Sequence, residues 1–196
     1  YNFGFDVKPL MTMRFYLPGE AYEAPDAKLR RAQDVVDRVE ALPGVEAAFA
    51  SNLIPLGGGG GGGSIAVEGR TPPASGQREG ITFIGATPHL FKTIGLSRIR
   101  GRDFTDAEGR SRTAVAVISQ AMATRFWPDR EPLGGRFRVD TGDGSHDAAD
   151  WFTVIGVAPD FKLFGVNTSN PSGDQPTQAA FVPYAYQQAL NTGLTV

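Results

Sequence analysis

Thr113-Ala-Val-Ala-Val-Ile-Ser119 is a short apolar run rich in β-branched residues and closed at both ends by hydroxyl side chains. Seven residues of this kind, with no polar alternation, predict a strand buried on both faces. Ser119 then reads as the N-cap of a helix, because its side-chain oxygen can take a free amide of the first turn. Met122 and Phe126 fall on one face at i, i+4, and Pro128 stops the helix after Trp127. Pro132-Leu-Gly-Gly135 predicts a turn. Residues 136–139 and 151–157 predict two further strands of a hairpin. The unit is strand, helix, turn, hairpin, and it is structural before it is chemical.

Working outward, residues 10–17 alternate: Met11, Met13, Phe15 and Leu17 on one side, Thr12, Arg14 and Tyr16 on the other. This predicts a half-buried strand. Asp26 is a candidate N-cap for a helix over 26–42 with Leu29, Ala32, Val35, Val36, Val39 and Leu42 on one stripe. Pro43-Gly44 ends it and residues 45–51 predict a second strand, so residues 7–51 are expected to form a β-α-β unit, right-handed if the strands are parallel. The run Gly57 to Gly63 is expected to be a flexible loop marking a boundary. Beyond it, residues 65–68 and 81–86 predict strands. Thr87 as N-cap, Pro88 and Gly95 delimit a short helix facing inward with Leu90, Phe91 and Ile94. Thr105-Asp-Ala-Glu108 matches a capping box. Residues 161–178 read as loop, and 179–184 as a strand that Pro183 confines to a sheet edge.

With 196 residues the chain can bury about 70% of its unfolded surface, enough for one large or two small cores. The formal charge of −2, with acids and bases nearly balanced, lacks the basic footprint of a nucleic-acid binder. The absence of cysteine rules out disulfides and thiolate metal sites. No apolar run of about 18 residues is present, so any membrane anchor lies outside this sequence, which reads as a fragment.

Candidate chemistry is sparse. The glycine run invites a phosphate-loop reading, but no Gly-Lys-Ser/Thr follows it. Asp140, Asp143, Asp147 and Asp150 surround a glycine-rich tip, yet the calcium-loop order with a distal Glu is missing, and a solvated hairpin loop is the stronger reading. His89 and His146 sit in unrelated contexts. Ser51, Ser64 and Ser119 lack a nucleophile elbow. Arg98, Arg100, Arg102, Arg110 and Arg112, offset by Asp103, Asp106 and Glu108, read as a salt-bridged face. Phe126-Trp127 reads as core, with Trp127 as a possible partner contact. No catalytic residue, cofactor or metal is expected from these residues.

Several stretches together carry a resemblance. Phe5-Asp6 leads into Met11-Thr-Met-Arg-Phe-Tyr-Leu-Pro18, followed by Ala41-Leu-Pro-Gly-Val45 and by Leu53-Ile-Pro-Leu56 before glycines. Arg100-Gly-Arg-Asp-Phe-Thr105, Ala123-Thr-Arg-Phe-Trp-Pro128, Glu131-Pro-Leu-Gly-Gly135 and Thr153-Val-Ile-Gly-Val157 come next. In this order they resemble the extracytoplasmic (MacB-like periplasmic) core domain of MacB/FtsX-like ABC transporter permeases, especially the duplicated orphan permease type. The resemblance implies an α+β fold in which a β-α-β porter-like half, residues 1–51, precedes a mixed-sheet Sabre-like subdomain with short helices, residues 52–187. Residues 188–196 would then open a second porter half. It further implies a domain on the periplasmic side of the cell membrane. Its partners would be a cytoplasmic ABC ATPase subunit, reached through membrane helices outside this sequence, and a second permease copy, with no nucleic acid and no cofactor.

Two other classes stand beside a motion-transmitting permease domain. A binding module would use the glycine run and the 140–150 tip as a rim, with Pro55, Leu56, Gly57, Gly60, Asp143 and His146 as partner contacts. A metal-dependent hydrolase would need convergent His and carboxylates in one pocket.

Overall fold

The computed structural model describes residues 4, 10–15, 25–54, 58–59, 61–70, 80–96, 100–140, 151–162, 177–187 and 194–195. In chain order the elements are β1 (Arg14–Phe15), α1 (Pro25–Glu40), β2 (Leu53–Ile54), β3 (Gly58–Gly59), β4 (Gly61–Val67), β5 (Gly80–Ala86) and α2 (Leu90–Thr93). They continue as β6 (Arg100–Gly101), α3 (Asp106–Gly109), β7 (Val115–Ser119), α4 (Gln120–Phe126), β8 (Arg136–Asp140) and β9 (Phe152–Ala158). The last three are β10 (Ala179–Pro183), α5 (Tyr184–Gln187) and β11 (Leu194–Thr195).

β7, the strand expected to be buried on both faces, is buried at every residue. Val115 and Val117 point to one apolar cluster and Ala116 and Ile118 to another. β7 pairs in parallel with β9 and antiparallel with β10, which pairs in parallel with β5. β5 pairs with β4, and β4 with β8. β8 then returns to β9 through Arg136↔Thr153 and Phe137↔Phe152, so six strands of the seven-stranded sheet close into a ring. β6 pairs with the far half of β9 and stays outside that ring.

Ring closure gives the sheet an inside. Ile65, Val67, Ile81, Phe83, Ile118, Phe137, Val139, Phe152, Val154 and Val182 come from all the ring strands and form one buried cluster. α4 contributes Met122, Ala123 and Phe126 to it, and Trp127 joins from the helix end. Phe152 sits at its centre, edge-on to Phe83 at 5.5 Å and stacked on Phe137 at 5.6 Å. The opposite faces of β5, β7 and β10 carry Ile84, Val117 and Phe181. These are covered by Leu90, Phe91 and Ile94 of the α2 region and by Leu53, Leu96 and Phe104.

Seven expectations are corrected. Residues 45–51 form no strand: they run alongside α1, burying Ala48 and Ala50, and meet the sheet through the single bridge Ser51↔Ala86. β1 pairs antiparallel with β11, so among the described residues no β-α-β unit closes within 7–51. Met11 and Met13, expected on the covered side of a strand, are 93% and 50% exposed.

The described glycines of the run, 58–59 and 61–63, are strand rather than loop. Gly58–Gly59 pairs with Leu53–Ile54, and Gly61 and Gly63 lie opposite Phe83 and Ile81 of β5. Ladder hydrogen bonds need only backbone, and a strand without side chains makes room for the bulky ones beside it in a tightly curved sheet. β10 is not an edge strand but lies between β5 and β7. Pro183 is tolerated as its last residue, beyond Ala180 and Phe181, where β7 pairs.

Finally, two helix starts differ. α1 begins at Pro25, leaving Asp26 inside its first turn. α2 begins after His89 with no side-chain cap, because Thr87 Oγ1 accepts instead from Ala50 N at 2.8 Å.

Candidate functional site

Pro55, Leu56, Gly57, Gly60, Asp143 and His146, the expected partner contacts, lie outside the described residues, as do Asp147 and Asp150. The candidate serines are occupied. Ser119 Oγ accepts from Met122 N at 3.2 Å and Ala179 N at 3.0 Å and donates to Thr177 O at 2.9 Å. Ser51 Oγ donates to Gly85 O at 3.0 Å and accepts from Leu53 N at 3.2 Å. Ser64 is half-buried in the β4 ladder, opposite Gly80 and Asp140. Among the described residues no group of three His, Cys, Asp or Glu side chains could hold a metal ion.

The arginine cluster is paired as expected, though mostly with partners from elsewhere in the chain. Arg102 grips Glu108 with two nitrogens, both at 2.7 Å. Arg100 reaches Glu131 at 3.5 Å, Arg110 reaches Asp37 of α1 at 3.7 Å, and Arg112 lies over the Tyr186 ring. Arg98 is outside the described residues. Trp127 is buried against Phe137 and closes over Gly135, so it is core and not a surface contact.

What the structure does bring together is a joint between α1 and the ring. Ala32 and Val36 of α1, with Leu29 and Val39 at the margin, pack on Ala48, Ala50 and Tyr184. Burial of Tyr184 pushes its phenol up to about 12, so it acts as an apolar ring and not as an acid. Two residues on, Tyr186 belongs to the interior of the ring: it meets Phe152 edge-on at 4.8 Å, and its hydroxyl donates to Arg112 O at 2.8 Å. A single turn, α5, therefore has one aromatic under α1 and another in the barrel core.

Backbone bonds stitch the same joint. Thr87 N donates to Ala50 O at 2.9 Å, Asn52 N to Gly85 O at 3.3 Å, and Gly85 N to Asn52 Oδ1 at 3.0 Å. Glu40, at the end of α1, accepts from Ala48 N at 3.0 Å and faces His89 Nδ1 at 3.1 Å. Sequence reasoning missed Tyr184, Tyr186 and the Glu40–His89 pair. An aromatic pair at i, i+2 after a strand was the one signal available for the tyrosines, and a contact spanning 49 positions leaves no local signal.

A closed, side-chain-filled sheet joined to an amphipathic helix defines a mixed α/β domain. The chain belongs to the MacB-like periplasmic core domain family, whose model matches residues 9–196. It is thus the extracytoplasmic domain of a MacB-like ABC transporter permease. Among solved structures, the periplasmic region of MacB from Actinobacillus actinomycetemcomitans shares the fold. Its TM-score is 0.56 at 15% identity, over 94% of this chain and 72% of that one. The extracellular domain of the noncanonic ABC-type transporter YknZ from Gram-positive bacteria matches with TM-score 0.48 and 18% identity, over 95% of this chain and 82% of that one. A domain of a putative permease protein from Porphyromonas gingivalis matches at the same score and identity over 81% and 63%. No curated protein matches the chain. No described helix is long and apolar enough to cross a membrane, and membrane attachment follows from the family.

Proposed function

We propose that this domain passes conformational change between the membrane helices of its permease and a substrate or partner on the outer side of the membrane. The work is supplied by a cytoplasmic ATPase subunit, and a second permease copy is a further partner. In this reading residues 1–51 act as a porter-like half and residues 52–187 as a Sabre-like one.

The observation that carries the reading is the α5 joint. A displacement can cross a domain only through packed elements that move as bodies. Tyr184 and Tyr186, two residues apart on α5, fasten α1 to the barrel core. Glycine in place of Val36, which is 3% exposed, deletes a buried side chain and weakens the helix that bears it.

The test uses the full-length permease reconstituted with its ATPase, spin-labelled at introduced cysteines replacing exposed Arg38 on α1 and exposed Arg138 on β8. ATP is expected to shift the distance between the labels and to drive transport in the parent protein. Val36→Gly should blunt both responses by roughly tenfold, in keeping with a loss of about 1.4 kcal/mol or more at the joint. Asp143→Ala, Asp147→Ala and His146→Ala should leave both in place. Loop substitutions that stop the response while Val36→Gly preserves it would refute transmission through α1.

A further inference from the structure

His89 sits where three elements meet. Its Nδ1 is 3.1 Å from Glu40 Oε1 at the last residue of α1, and its Nε2 is 3.7 Å from Asp106 Oδ1 at the first residue of α3. The backbone holds the ring in place. His89 has φ 74°, the one positive φ among described non-glycine residues, a conformation disfavoured for any residue with a Cβ and kept only where the surroundings impose it. Its carbonyl accepts from both Thr93 N and Thr93 Oγ1 at 2.8 Å. The preceding Pro88 packs so tightly on α3 that a Cβ at Gly109 would come within 2.3 Å of its ring.

The two partners of this ring are both carboxylates, which accept hydrogen bonds and cannot donate them when ionised. A neutral imidazole has one N–H. It can serve Glu40 or Asp106, and it then turns a lone pair toward the other. An imidazolium has two: one bonded to Glu40, and one turned toward Asp106, whose oxygen at 3.7 Å makes an ion pair and not a hydrogen bond. Asp103, half-buried beside the site, is a third carboxylate: burial raises it, while the Phe104 N–H and the charge of His89 lower it. The nearby cation on α3, Arg110, is engaged with Asp37 of α1, and Lys92 of α2 is exposed.

We propose that His89 is a proton-operated latch: its imidazolium ties the end of α1 to the start of α3, and loss of one proton releases one of the two straps. α1 is therefore held more firmly to the barrel in acid than at neutral pH. The latch stands whether or not the domain transmits motion, since it concerns only how firmly α1 is docked.

The test is amide hydrogen exchange on the 196-residue chain at pH 5.5, 6.5 and 7.5, corrected for the intrinsic pH dependence of exchange. The side chain of His89 is 41% exposed, so solvent screens the gain. Protection of the α1 amides and of Ala48 N–H is expected to be about two- to fivefold greater at pH 5.5 than at 7.5, with β7 and β10 unchanged. His89→Asn, which tolerates the left-handed backbone, should abolish that difference, and His146→Asn should keep it. Glu40→Gln retains an acceptor for Ala48 N–H and removes only the charge, so it too should flatten the response. Protection of α1 that ignores pH in the parent chain overturns the latch, as does a pH response that survives His89→Asn or Glu40→Gln. Should His89→Asn fail to fold, Glu40→Gln and Asp106→Asn decide the matter on the same terms.

Discussion

At the scale of single residues, Glu108 is the most heavily used carboxylate described. It takes both nitrogens of Arg102 and the backbone N–H and hydroxyl of Thr105, while Thr105 Oγ1 accepts in return from Glu108 N, which closes the capping box on α3. These bonds, Arg102 first, pull its carboxyl down from 4.5 to about 2. A carboxyl depressed by folding stabilises the native state fully above its unfolded value and loses that contribution as the pH falls through its folded one. Stability is therefore expected to decline between pH 4.5 and about 2, and Glu108→Gln should decline less over that window in urea titrations. Asp103 works the other way: burial raises it, so its ionisation opposes folding as pH rises, and Asp103→Asn should steepen the acid decline. The box was legible because Thr-x-x-Glu is a local pattern. Ser119 was legible only in part. Its bond to Met122 N follows from sequence spacing, but its bonds to Thr177 and Ala179, about 60 positions away, follow from β10 lying beside β7.

Among the elements, those whose periodicity is self-contained match expectation. α1 places Ala32 and Val36 inward, β7 is buried throughout, and α4 begins at its serine cap and ends before Pro128. The elements that differ are those whose state depends on a neighbour. Residues 45–51 have the composition of a strand, yet α1 and the end of β5 use their backbone as a strap. Glycines 61–63 have the composition of a linker, yet β5 supplies a ladder. α3 shows how close such neighbours come. Gly109 is buried against Pro88, and an added Cβ would meet that ring at 2.3 and 2.4 Å, so Gly109→Ala must push α3 away from the β5–α2 turn. A cost of about 1–3 kcal/mol is expected, read as a lower urea midpoint without a change in slope.

For the molecule as a whole, closure of the sheet is the decisive event. Of the apolar residues on the expected strands and helices, Val36, Val115, Val117, Phe126 and Val154 are buried, while Leu29 and Val39 are half-buried at the α1 joint, Ile155 at the margin of the outer cluster, and Val45 is half-buried. The Phe15 side chain lies outside the described residues. Val117 is fully buried between the sheet and the Phe91–Phe181 layer, so Val117→Asp would strand a charge with no partner and should abolish cooperative folding, as seen by the loss of a thermal transition. By itself the sequence determined the self-contained elements, the caps of α3 and α4 and the inward faces of α1, β7 and α4, since side-chain periodicity and capping act over a few residues. It also carried, in the order of its motifs, the family to which the chain belongs. Only the tertiary structure decided which strands are neighbours, that the sheet closes, and that Tyr184, Tyr186, Glu40 and His89 form the joint with α1. Those contacts join residues from separate elements, His89 and Glu40 being 49 positions apart, and nothing in the intervening chain encodes them locally.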